Sequence, residues 1–243
     1  NGTDTDGIYF FDASNKPITI FAPLKVLMLK NKLPEGSNLE KSSILFSHDY
    51  KQAIIEIPIG NLSNSYLLSL NTENQEAFDV TTSKLSLIDA WKNEKNKEIV
   101  KVLETFPSNI QKIASDSFDI VSFSPEQTKI LYKSLTNESI PMIIKPSLIA
   151  SNQSKEERNI KTGGLYVYDK KEDKNYKISD GNLSIDNIIW YSDSKRLIYK
   201  ETDRISISSY DGSNRQTVYS GPFDYKFYSV NSDGKLLILA NLN

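Results

Sequence analysis

The side chains able to do covalent or metal chemistry are few. The chain has one histidine, His48, and no cysteine. Without Cys there are no disulfides, thiolate zinc sites, iron–sulfur clusters or thiol nucleophiles. A single His cannot build a multi-histidine metal centre. No Gly-x-Ser-x-Gly occurs, so nothing sets a serine on a strained strand-to-helix elbow. Gly163-Gly164 and Gly212 lead into strand and turn residues rather than a helix, so no phosphate-cradling loop is indicated. Asp4-Thr5-Asp6-Gly7 matches only part of a calcium-loop pattern: Gly2 stands where the pattern needs Asp, and Ala13 where it needs Glu. Four acids remain, Asp49, Glu126, Asp193 and Asp233, which share one place in a repeat. Hard cations do take carboxylates. Acids in tight turns, however, ordinarily cap their own backbone, and Lys51, Lys195 and Lys235 follow two residues on. No catalytic residue, cofactor or metal site is assigned, and His48 reads as a structural turn residue.

The repeat shows what must position such residues. Four ten-residue stretches superpose: FSHDYKQAII at 46–55, FSPEQTKILY at 123–132, WYSDSKRLIY at 190–199 and VNSDGKLLIL at 230–239. Each begins with a bulky apolar residue, carries an acid or its equivalent at the fourth place and ends in an apolar run. This is strand, tight turn, strand: a hairpin written four times. A second hairpin follows three of them, at Tyr66–Phe78, Leu165–Ile178 and Ile205–Tyr219. A fourth copy, Ile8–Phe11 with Ile18–Ile20, stands alone at the N-terminus, and the hairpin at 230–239 has none after it. Two hairpins make a four-stranded unit, and the leftovers at the ends make one more.

The fold expected is therefore all-β: a β-propeller of about four four-stranded blades, with a helical insertion and with the termini sharing one blade. The alternative is an excerpt of a larger, six-bladed propeller. FSPE at 123–126 followed by LYVYD at 165–169 resembles the blades of TolB-like, WD40-like bacterial propellers, whose usual turn is Ser-Pro-Asp-Gly-Lys. Only Phe123 is followed by Ser-Pro, and only Asp233 by Gly-Lys. The text also resembles propellers of bacterial envelope proteins that carry PEGA domains, although no PEGA segment is present. The resemblance implies the fold and an extracytoplasmic, cell-envelope setting in a bacterium, with a cytoplasmic one as the alternative; the interaction role rests instead on the missing catalytic chemistry and the one-sided loops.

One domain is expected over 1–243, with two decorations. A helical insertion spans about 83–118, where Ile99, Val102, Leu103 and Phe106 recur at helical spacing until Pro107 stops the run. A long loop insertion spans about 135–162. Strand counting puts both, with the 20–44 connection, at one end of the blades, opposite the short acidic turns. Long loops in compact domains are commonly functional.

Partner surfaces favour apolar anchors inside a polar rim. The segment 140–146, IPMIIKP, meets that description. The candidate partner-binding residues are Ile140, Met142, Ile143 and Ile144, with Trp91 second. Both apolar stretches could equally pack back onto the blades.

Composition narrows the partners. With 29 basic and 31 acidic side chains the formal net charge is −2, so no broad electrostatic grip on nucleic acid exists. No apolar run reaches about 18 residues, so no segment here reads as a membrane span. The function expected is a non-catalytic protein–protein interaction or scaffold propeller. The alternatives are an accessory or gating propeller of a hydrolase or peptidase, and small-ligand or glycan binding in the axial channel.

Overall fold

The computed structural model describes residues 6–11, 24–145, 154–181, 183–223, 228–230 and 234–238. They form a mostly β protein with two helices, divided into two compact units, Asn1–Glu98 and Ile99–Asn243.

In the first unit β1 (Gly7–Phe11) pairs antiparallel with β2 (Leu24–Leu29). Next come β3 (Ser43–Phe46), β4 (Gln52–Ile59), β5 (Leu62–Ser69) and β6 (Phe78–Asp79), a four-stranded antiparallel meander. Strand alternation sends side chains to opposite faces, and both faces are covered. Ile55, Ile57, Tyr66 and Leu68 pack with Met28 of β2. Ile54 and Leu67 pack with Leu87, Ile88 and Trp91 of helix α1 (Lys84–Leu103).

The second unit receives the last turn of α1 and then α2 (Ser108–Ser117). Between the helices Pro107 stops α1, and its carbonyl accepts the amides of Ile110 and Gln111 to start α2. A second meander follows: β7 (Phe118–Phe123), β8 (Lys129–Ser134), β11 (Leu165–Asp169) and β12 (Lys174–Ser179). The connection from β8 to β11 carries a small ladder of β9 (Glu138–Ser139) and β10 (Asn159–Ile160). A third meander contains β13 (Ile188–Trp190), β14 (Arg196–Lys200), β15 (Arg204–Ser209) and β16 (Gln216–Ser220). β17 (Tyr228–Val230) and β18 (Leu236–Ile238) close the described chain as a two-stranded ladder.

Period-two patterning sorts the second meander into two cores. Leu131, Leu165 and Val167 meet Ile188, Leu197 and Tyr199 of the third meander, sheet face to sheet face. Ile130, Tyr132, Tyr166 and Tyr168 point the other way, onto Leu103, Phe106, Ile110 and Ala114 of the helices. Burying a side chain such as Leu131 or Val167 contributes about 1.5–3 kcal/mol.

The repeated hairpins are present as β3–β4, β7–β8, β13–β14 and β17–β18. Their turns share a backbone. In the first three, an amide bonds the carbonyl three residues back: Tyr50 to Ser47, Gln127 to Ser124, Ser194 to Tyr191. The fifth place is left-handed in all four, with φ of 54° at Tyr50, 55° at Gln127, 59° at Ser194 and 78° at Gly234. A second bond recurs too, from the end of the third strand back to the first turn: Leu70 to Lys51, Lys170 to Thr128 and Tyr210 to Lys195. The sequence repeat is thus a repeat of structure.

Closure differs from expectation. β1 pairs with Leu24–Leu29, while the expected partner Ile18–Ile20 lies outside the described residues. β1–β2 and β17–β18 are separate two-stranded sheets, so the shared terminal blade is not formed among the described residues. Nor do these residues close into a ring of blades. The physical reason is visible within each unit: a sheet face that could receive a neighbouring blade is covered by helix. No described helix is long and apolar enough to cross a membrane.

Candidate functional site

The connection from β8 to β11 leaves the sheet at the end where β7 begins. Its base is closed by backbone bonds: Ser134 N to Gly164 O, Gly163 N to Ser134 O, and Leu135 N to Ser117 O at 2.8–2.9 Å. The β9–β10 ladder extends through Ile140 N to Arg158 O at 2.9 Å. Ile140, 1% exposed, and Ile160 enter the aromatic core beside Tyr166 and Tyr168.

From Pro141 to Lys145 the chain joins no strand ladder, and side chains supply the partners of its amides. Asp173, 3% exposed, sits at the β11–β12 turn with φ of 50°. Its Oδ2 accepts the amides of Ile143 at 2.7 Å and Ile144 at 2.9 Å, and its Oδ1 accepts the Tyr168 hydroxyl at 3.0 Å. Arg158 reaches in from the returning limb. Its Nη1 donates to Pro141 O at 2.7 Å, its Nη2 donates to the Asp173 carbonyl, and the same Nη2 lies 3.5 Å from Asp173 Oδ2. Arg158 Nε pairs with Glu156, whose Oε2 also holds Lys174 Nζ at 3.1 Å. Burial, then the Asp173 charge, pushes the Tyr168 phenol well above its ordinary pKa, so its proton stays on as donor. Each charge is met by an opposite charge or a backbone dipole, as buried ions require.

The candidate partner residues are divided by this arrangement. Ile140 is core, and Ile143 packs on the same core while its amide is held. Ile144 is half-buried, and Met142 is 39% exposed. Trp91, 7% exposed, packs under its own helix against Ile54 and Val80 in the first unit, away from solvent. Of the five, Met142 alone is exposed. Sequence reasoning missed Arg158, Asp173 and Tyr168. Their only trace is an Arg in a polar loop and an acid in a KKEDK turn, neither of which reveals a contact across 15 residues of chain.

At the opposite end of the strands the acidic turns behave as caps. Asp49 Oδ1 accepts the Ser47 hydroxyl and Lys51 amide at 2.8 and 3.1 Å, and Asp193 Oδ1 accepts the Lys195 and Arg196 amides. Hydrogen bonds from Ser47 and Lys51 hold the Asp49 carboxyl far below the usual carboxylate range. Burial raises Asp193, but the Lys195 amide and Arg196 outweigh it and leave its pKa lowered. Arg196, not Lys195, is the ionic partner, at 2.7 Å. Glu126 pairs with Lys171, and Asp233 lies outside the described residues. Between two of these turns in the second unit lies a cleft of about 510 Å³. Its floor includes the buried pair Lys129–Asp169 at 3.4 Å, with Lys129 over the Tyr210 ring. Among the described residues no three His, Asp or Glu converge as a metal site requires. His48 Nε2 lies 3.3 Å from Glu98 Oε1, within the first unit.

No protein-family model matches the chain. No curated protein matches it either.

Proposed function

We propose that the chain is a non-catalytic, propeller-type interaction module that binds a protein partner through the β8–β11 insertion. The observation that carries this is the clamp. A segment with no ladder of its own is fixed by buried Asp173 and half-buried Arg158, and Met142 within it is exposed. A preorganised apolar anchor loses little entropy on binding, which is what a docking loop needs. The four-stranded meanders with a repeated turn, and the likeness of FSPE and LYVYD to TolB-like blades, support a propeller assignment and a bacterial cell-envelope setting. The role is scaffold rather than catalysis, with no cofactor.

The test is affinity capture from the native organism's envelope fraction. Met142→Asp places a charge on this exposed side chain and leaves Ile140 and the clamp side chains Asp173 and Arg158 unchanged. Capture of a defined partner should fall at least about tenfold, the equivalent of 1.4 kcal/mol, with melting unchanged. Undiminished capture by Met142→Asp, combined with loss on Arg196→Glu, moves the binding surface to the cleft end. The cleft itself favours a second reading, a small polar ligand held by Lys129 and Asp169.

A further inference from the structure

The free edge of the first meander is β3, and among the described residues no strand pairs with its outer side. Sheet edges are normally blunted by bulges, Lys, Pro or shortness. The other edges of the four-stranded sheets follow that rule: β6 has two residues, β13 has three, β7 is bulged between Ile120 and Ser122, β16 is bulged where it pairs Ile205 and Ser206, and β12 carries Lys174 and Lys177. β3 reads Ser-Ile-Leu-Phe, in unbroken register with β4. Ile44, Leu45 and Phe46 are each 45% exposed.

These three side chains extend both cores of the unit past its edge. Leu45 lies in the cross-strand row of Ile54 and Leu67, the face packed on α1. Ile44 continues the row of Ile55 and Tyr66, and Phe46 the row of Ala53 and Leu68, on the face packed on β2. An occupant must therefore be a strand with apolar residues on both faces.

The backbone fixes how it would bind. Ser47 N donates to Gln52 O, so by antiparallel alternation Leu45 and Ser43 also direct their amides and carbonyls toward β4. Ile44 and Phe46 direct theirs outward. A two-fold axis at Leu45 brings Ile44 of one copy opposite Phe46 of the other, and each pair exchanges both of its hydrogen bonds. Leu45 then faces Leu45 as a non-hydrogen-bonded pair. The same axis brings Lys41 of each copy level with Asp49 of the other, a favourable pairing of opposite charges. Lys41 makes no ion pair among the described residues, while Asp49 is held on one side by Ser47 and Lys51.

We infer that β3 is a self-association edge: a second copy of this chain adds its own β3 antiparallel, centred on Leu45, to form a continuous sheet of eight strands. The contact is isologous and closed, so it yields a dimer rather than a fibre. The interface is short and depends on a handful of side chains, so the dimer forms reversibly with concentration.

The absence of Cys makes the register directly testable. Non-hydrogen-bonded partners have Cα atoms about 4.5 Å apart, within the span a disulfide accepts. Three single variants of the full chain, Ile44→Cys, Leu45→Cys and Phe46→Cys, are oxidised under identical mild conditions and resolved without reductant. Leu45→Cys should give a covalent dimer at least about tenfold faster than the other two, whose thiols sit on diagonal rather than facing positions. In sedimentation equilibrium the unmodified chain should associate, and Leu45→Lys should weaken the dimer at least about tenfold by opposing like charges across the axis. Equal cross-linking at all three positions overturns the register. An unmodified chain that sediments as a monomer at every loading overturns the inference, and so does association indifferent to Leu45→Lys. If Leu45→Lys fails to melt cooperatively, the cross-linking comparison decides alone.

Discussion

Arg158 and Asp173 face each other across the base of the β8–β11 insertion, guanidinium Nη2 3.5 Å from carboxylate Oδ2 and bonded to the same residue's carbonyl. One residue belongs to the returning limb of the loop and the other to the turn between β11 and β12. The contact therefore ties an irregular segment to the most regular part of the unit. Where a strand ladder ends and the chain stays buried, backbone amides still need acceptors. Here a carboxylate provides them, and the guanidinium balances its charge.

Removing that carboxylate should release the loop. Asp173→Ala leaves the amides of Ile143 and Ile144 and the Tyr168 hydroxyl without their acceptor, while Arg158 keeps Glu156; orphaning buried donors costs about 1–3 kcal/mol. Chemical denaturation should show a loss of that order. Hydrogen exchange at Ile143 and Ile144 should accelerate more than at Val167 in the sheet. Uniform acceleration would mean that the clamp has no local role.

The left-handed turn position offers a gain. Gln127 adopts φ of 55° with a side chain that makes no hydrogen bond recorded among the described residues, whereas the fourth repeat has Gly234 there. The left-handed region costs a non-glycine residue about 1–2 kcal/mol, partly offset by the greater freedom of Gly in the unfolded chain. Gln127→Gly should stabilise by about 0.5–1 kcal/mol, read as a higher melting temperature. Ser194→Gly should gain less, because the Ser194 hydroxyl accepts the Glu126 amide at 2.9 Å.

Tyr132 is wholly buried, stacked on Phe118 with ring centroids 3.6 Å apart, and donates to Asn175 Oδ1 at 2.8 Å. Tyr132→Phe keeps the ring and orphans the amide oxygen, which should cost about 1–3 kcal/mol. A double variant with Asn175→Leu should recover part of that loss in a thermodynamic cycle. Additive losses would mean that the hydroxyl and the amide act separately.

Acid should unfold the chain partly through its turn caps. The Asp193 carboxyl has a lowered pKa in the folded state, so its stabilising contribution is present above the unfolded value near about 4. It is lost as pH falls through the folded value. Asp193→Asn should therefore lower stability at neutral pH and flatten the acid limb of the stability–pH curve. A parallel curve, offset equally at pH 7 and pH 3, would show that the carboxylate's charge is irrelevant.

The sequence made the hairpins legible because their information is local. A bulky residue, a capped turn and an apolar run recur within ten residues, and the turn at Ser47–Tyr50 has the same bonds as that at Ser124–Gln127. α1 was legible for the same reason, through apolar spacing ended by Pro107, whereas α2 lies beyond that proline and was legible only within the bounds of the 83–118 insertion. Pairing across longer distances was not. β1 has partners of comparable apolar character at 18–20 and at Leu24–Leu29, and periodicity cannot choose between them. The apolar residues of IPMIIKP likewise gave no hint of which would be buried. Ile140 went inward because β9–β10 registers it against the sheet, and Met142 outward because Asp173 fixes the two amides that follow it.

Site-specific photo-crosslinking in cells of the native organism tests the binding surface most directly. A short diazirine side chain replaces Met142 in one strain and Lys195, at the cleft end, in another. A discrete protein adduct from position 142 and none from position 195 is the expected result. An adduct from position 195 with none from position 142 would contradict the assignment of the clamped insertion as the partner-binding face.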